Sequence, residues 1–173
     1  FEIIESVIKQ AKTRFEENGF AFILWGIIVP ICCFSQAYLI AIGKGAFSWY
    51  PYLIMPLVSM ISIIYYVKKK NFKQNPLKLV SSRLWLFTGV NIMIIAFGFN
   101  SYLESNLTSI ILLLMGIATA VAGSFIRSSL LLYCGIMLNL SAYIAFFIPW
   151  KNQALFMGII AILTFLIPGI LLR

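Results

Sequence analysis

The chain has 173 residues, 62% of them hydrophobic and only 10% charged, with no histidine and a net charge of +8, and its mean hydropathy is +0.99. Soluble domains use about 45–50% apolar and ~25% charged residues, and one of this size leaves roughly a third of its unfolded surface in water. The composition excludes an ordinary soluble fold and points to lipid as the solvent, with the basic excess read as cytoplasmic lysine and not as a nucleic-acid face.

The start, residues 1–18, reads FEIIESVIKQAKTRFEEN and carries four of the five acidic residues. Ile3, Ile4, Val7, Ile8, Ala11 and Phe15 recur at helical spacing and line one face. This segment is expected to be an amphipathic helix at the cytoplasmic membrane interface, or a docking face for a soluble partner. Asn18-Gly19 offers its stop. The sequence begins at Phe1 and not at Met, so preceding residues or a tag are expected. No signal peptide is read, because the first apolar block follows a mixed-charge helix and precedes no small-residue cleavage site.

Residues 19–173 read as an all-α bundle of six transmembrane helices, since about twenty apolar residues cover a ~30 Å hydrocarbon core. The spans are expected at 20–42, 50–67, 84–103, 107–126, 130–148 and 154–172. Gly43-Lys44-Gly45 closes the first, Glu104-Ser105-Asn106 the third and Pro149-Trp150-Lys151-Asn152 the fifth, while Arg127-Ser128-Ser129 splits a long apolar run. The second span is short and holds Pro51 and Pro56.

Charge tests this map. With the N-terminus inside, the cytoplasmic segments hold Lys9, Lys12, Arg14, Lys68, Lys69, Lys70, Lys73, Lys78, Arg83, Arg127 and Arg173, against Lys44 and Lys151 outside. Such asymmetry is the positive-inside pattern and predicts that both termini are cytoplasmic. Dropping the second span would put the lysine cluster outside. Trp49, Tyr50, Tyr65, Tyr66, Trp85, Tyr102 and Trp150 fall near the predicted interfaces. The lysines at 68, 69, 70 and 73 exceed what orientation requires, and each near an anionic leaflet is worth about 1 kcal/mol. They are candidate contacts for anionic lipid or a protein partner; nucleic acid is not expected.

The odd spans share an aromatic shortly before a glycine, in ILWGII around Gly26, LFTGVN around Gly89 and LYCGIM around Gly135. Three repeated helical hairpins would give this pattern, and a 3+3 inverted duplication competes. In the fourth span Gly116, Ala120 and Ser124, with Thr119 and Gly123, place small residues four apart. Gly116, Ala120 and Gly123 are therefore a candidate packing seam, within the bundle or in a homodimer.

Little points to chemistry. The predicted membrane interior holds no carboxylate, Cys32, Cys33 and Cys134 read as small apolar filler, and no nucleophile elbow or phosphate loop occurs. An enzyme, a metal site and a cofactor are not expected. The neutral polar residues Gln36, Asn91 and Asn139 should face the interior, as interhelical hydrogen bonds or as a pocket for a neutral solute or lipid headgroup. Pro30 and Ile167-Pro168-Gly169 mark candidate kinks.

The passage from AKTRFEENGF into ILWG resembles small polytopic bacterial inner-membrane proteins of unknown function, with five or six predicted helices and no enzymatic motif. That resemblance implies a multi-pass inner-membrane location and transfers no functional residue. The expected role is a membrane-embedded partner or regulatory protein acting through its cytoplasmic face. The alternative is a small transporter or channel for a neutral or amphipathic solute.

Overall fold

The computed structural model describes residues 20–68, 76–125 and 127–171. Every regular element among them is helical. The principal helices are α1 (Phe20–Ala41), α2 (Met55–Lys68), α3 (Pro76–Gly98), α4 (Leu107–Phe125), α5 (Ser129–Ala145) and α6 (Trp150–Leu171). The stretches Ala21–Ala41, Leu107–Phe125 and Trp150–Leu171 are long and apolar enough to cross a membrane. Arg83–Gly98 within α3 and Ser129–Ala145 are shorter apolar helices. The amphipathic start and Lys69, Lys70 and Lys73 lie outside the described residues.

Local chemistry sets several boundaries that differ from the sequence expectation. Tyr50–Ile54 forms a 3₁₀ turn, and α2 begins only at Met55. Pro51 sits in the first turn of the 3₁₀ segment and Pro56 in that of α2, where a missing N–H leaves no intrahelical bond unmade. Helix α3 already covers Pro76, ahead of the expected 84, and proline is tolerated in the first turn of a helix. It stops at Gly98, and Asn100–Leu103 forms a separate short turn. Helix α6 starts at Trp150, directly after Pro149.

Helix α6 widens to π geometry over Ile162–Leu166, where the Ile167 N–H reaches the Ile162 carbonyl. Pro168 accounts for this. It cannot donate to the Thr164 carbonyl, and its ring crowds that oxygen, so the turn before it opens.

Two antiparallel pairs form the centre. Helix α4 has its most extensive contact with α5, and α1 with α6. Along the first pair Gly116 meets Asn139, Gly135 meets Ala120, and Gly123 meets Leu131 and Leu132. Along the second, Gly26 meets Leu166, Gly169 meets Ile23, and Gly158 meets Cys33 and Phe34. In both pairs the partner numbers fall as the others rise, so the helices run in opposite senses. Leu131, Leu138, Ala142, Ala145, Cys33 and Phe165 lie in the buried core between the pairs.

Helix α3 joins this centre along α4. From the middle of α3 Trp85 packs edge-on to Phe22, with ring centroids 6.4 Å apart, and Phe22 stacks on Phe165 at 6.1 Å. Among the described residues helix α2 is the least engaged: its main contact is with the Tyr50–Ile54 turn that precedes it. Leu57, Met60, Ile61 and Ile64 of α2 face outward, as do Ile27, Ile31, Leu140, Ile159 and Ile170 elsewhere. So much outward apolar surface on an all-helical bundle is compatible with a protein embedded in a membrane.

Candidate functional site

The polar side chains divide into those that join elements and those that satisfy themselves. The clearest junction lies where α1 meets the Tyr50–Ile54 turn. Cys32, Cys33 and Gln36 follow at helical spacing, and Pro51 and Tyr52 fold back beside them. The Tyr52 hydroxyl donates to Gln36 Oε1 at 2.7 Å and lies 3.5 Å from Cys33 Sγ. The Cys32 thiol donates to the Pro51 carbonyl at 3.3 Å. A hydroxyl has one proton, so the short Gln36 bond takes it and the sulfur contact is secondary. Cys32 and Cys33 are buried and free of disulfides. The cluster offers an amide, a phenol and thiols, all neutral polar groups.

Asn139 and Asn91 behave differently from the sequence expectation of bonds between helices. Asn139 Nδ2 donates to the Gly135 carbonyl at 2.9 Å, one turn back in its own helix. Asn91 does the same to Phe87 at 2.8 Å. Asn139 is half-buried against Gly116, but Asn91 is exposed on α3 and does not face the interior of the bundle. A bond to the carbonyl four residues earlier explains this. It satisfies half of the amide without any neighbour, so burial is not required. Ser59, Thr119, Ser124 and Thr164 make the same backward bond, at 2.7 to 2.9 Å. The structure does not bring Gln36, Asn91 and Asn139 into a shared hydrogen-bonded group among the described residues.

Gly116, Ala120 and Gly123 all lie on the side of α4 that meets α5. A Cβ added at Gly116 would fall 2.8 Å from the Asn139 nitrogen, and one at Gly123 would fall 2.6 Å from that of Leu132. The small side chains let the two backbones touch, which supplies close van der Waals packing where lipid removes the hydrophobic drive between helices. Of the glycines in the odd-span pattern, Gly26 and Gly135 are such contact points, whereas Gly89 has open space where its side chain would be.

The sequence reading missed Gln153. This side chain is buried, and its Nε2 lies 2.6 Å from the Ser105 carbonyl, 3.0 Å from Ile148 and 3.2 Å from Ala145. It ties the start of α6 to the end of α5 and to the turn before α4. Its place just after Trp150-Lys151-Asn152 makes it look like part of a solvated turn. The available signal is Pro149, which starts α6 early enough to carry Gln153 on its first turn. Ser109, in the first turn of α4, is fully buried, and its hydroxyl has no hydrogen-bond partner among the described residues.

Lys68 is the last described residue of α2, and the candidate contacts Lys69, Lys70 and Lys73 lie beyond the described residues. Comparison with protein-family models, with curated proteins and with solved structures gave no match.

Proposed function

We propose that the chain is a six-span integral membrane protein, with both termini cytoplasmic, that acts as a membrane-embedded partner or regulatory protein through its cytoplasmic face. Each helix from α1 to α6 falls on one expected span. The shorter ones are α2, which the Tyr50–Ile54 turn precedes, the Arg83–Gly98 stretch of α3, which a more polar start of the same helix precedes, and α5. The charge asymmetry sets the orientation. Gly26 and Gly135, in matching contexts on α1 and α5, support descent from a repeated hairpin, although each packs against a helix outside its own hairpin.

One observation carries the functional reading. Helix α2, which precedes the lysine-rich segment, is the helix least held by the bundle among the described residues, while the two central pairs are close-packed. A loosely attached, charged arm on a rigid anchor suits engagement of a partner or an anionic leaflet. Two perturbations test it: exchange of Lys68, Lys69, Lys70 and Lys73 for glutamine, and deletion of residues 1–18. Proteins crosslinked to the loop in native membranes should fall several-fold in both variants. An unchanged crosslinking pattern in both would sink the proposal.

The π turn of α6 before Pro168 favours a second reading, a small transporter for a neutral or amphipathic solute, because interrupted helices often line transport paths. That reading requires single cysteines placed beside the π turn and beside Asn139, in a cysteine-free background, to react with polar thiol reagents. Complete protection at both positions excludes it.

A further inference from the structure

The turn between α4 and α5 holds a residue that its geometry does not favour. The Ser128 N–H donates to the Gly123 carbonyl at 2.9 Å, and the Arg127 N–H reaches Ser124 at 3.3 Å. This pair of bonds is the closure that helices use when the next residue turns left-handed. Arg127 is that residue, with φ of 50°. Helix α1 ends in the same way. There Lys44 donates to Leu39 at 2.9 Å and Gly43 to Ile40 at 3.1 Å, and the left-handed residue is Gly43, with φ of 77°. Glycine enters that region without the Cβ clash that arginine suffers. The fold thus uses glycine at one of two equivalent positions and arginine at the other.

Packing does not explain the arginine, because its side chain is exposed. Charge does. Arg127 is the sole charged residue between Glu104 and Lys151, in an otherwise neutral stretch that forms the tightest helix pair among the described residues. The turn is short, with Gly123 already lying against Leu131 and Leu132. A close-packed neutral hairpin has nearly the same free energy in either orientation across a bilayer. One cation at its tip breaks that equivalence.

We propose that Arg127 is kept in a strained left-handed turn because its charge orients the α4–α5 hairpin with this turn on the cytoplasmic side. The strain is the local cost of that topological signal. This inference rests on the six-span reading, and its test separates the two.

The test uses the full chain with a single reporter, Ser128→Cys, in an otherwise cysteine-free background, probed in intact cells with a membrane-impermeant maleimide. If the reporter without further change is labelled from outside, the six-span orientation itself is wrong. If it is protected, Arg127→Gly should raise the thermal midpoint in detergent by a few degrees and increase outside labelling at least fivefold. Arg127→Lys should keep the reporter protected. Arg127→Asn, neutral yet tolerant of left-handed backbone, should match the glycine variant in labelling and serves where that variant expresses poorly. Protection retained in both neutral variants overturns the proposal. So does a lowered midpoint in Arg127→Gly, which would show that the side chain stabilises the fold.

Discussion

Gly26 of α1 lies directly against the backbone of Leu166 in α6, so close that a Cβ on Gly26 would fall 2.5 Å from the Leu166 nitrogen. Leu166 is the last residue of the π turn. The opening that Pro168 imposes on α6 therefore lies at a point of backbone contact with α1, and no flexible side chain is available there to absorb added volume. Gly26→Ala should destabilise the protein by about 1–3 kcal/mol, the usual cost of overpacking. Gly89 shares its sequence context but has nothing within 4 Å of the same position. Gly89→Ala should stabilise by about 0.5–1 kcal/mol through helix propensity alone. Thermal unfolding of the two variants in one detergent compares them directly; equal effects would refute the assigned contact.

Gln153 is the bolt that joins three chain segments at one end of the bundle. Gln153→Leu keeps the volume but leaves the carbonyls of Ser105, Ala145 and Ile148 without this donor. A loss of about 1–3 kcal/mol is expected. Gln153→Glu also removes the donor, so it should be no better than leucine. Chemical denaturation in mixed micelles would measure both.

Tyr52 and Gln36 should be energetically coupled. Tyr52→Phe removes the hydroxyl donor and leaves Gln36 Oε1 unpaired, at a cost of about 1 kcal/mol. Gln36→Leu orphans the hydroxyl at a similar cost. The double variant should lose less than the sum, since neither polar partner is then stranded. Strict additivity in the double-mutant cycle would show that the bond contributes nothing.

Pro168→Ala restores an N–H that can reach the Thr164 carbonyl and removes the ring that crowds it. The π turn should then close toward α geometry, with the amide of residue 168 protected from hydrogen exchange. Closing the turn changes the level at which Gly169 meets Ile23, so a lowered thermal midpoint is expected despite the better helix former. A raised midpoint would show that the wide turn does not set the α1–α6 contact.

Much of the architecture was legible because lipid imposes simple rules on sequence. Length and apolarity mark out helices, and the small-residue spacing of α4 marks the face that meets α5. The polar positions were less legible. Asn91 and Asn139 look alike in one dimension, yet one is exposed and the other half-buried, since each bonds its own helix and packing alone sorts them. Gln153 was hidden by its hydrophilic neighbours. Trp85, expected at an interface, rests its ring against Phe22 near the start of α1.

The sequence by itself determined the helical class, the apolar stretches and the charge pattern, because these depend on composition and period along the chain. Which helices became partners was left to the tertiary structure. Gly26, Gly89 and Gly135 occur in similar contexts, but only Gly26 and Gly135 meet another backbone among the described residues. The pairing of α1 with α6 joins residues far apart in sequence, and the fit of their surfaces decides it. The strain at Arg127 is of the same kind. A lone arginine between two apolar runs reads as a topological marker, and only the turn geometry shows that it occupies a place better suited to glycine.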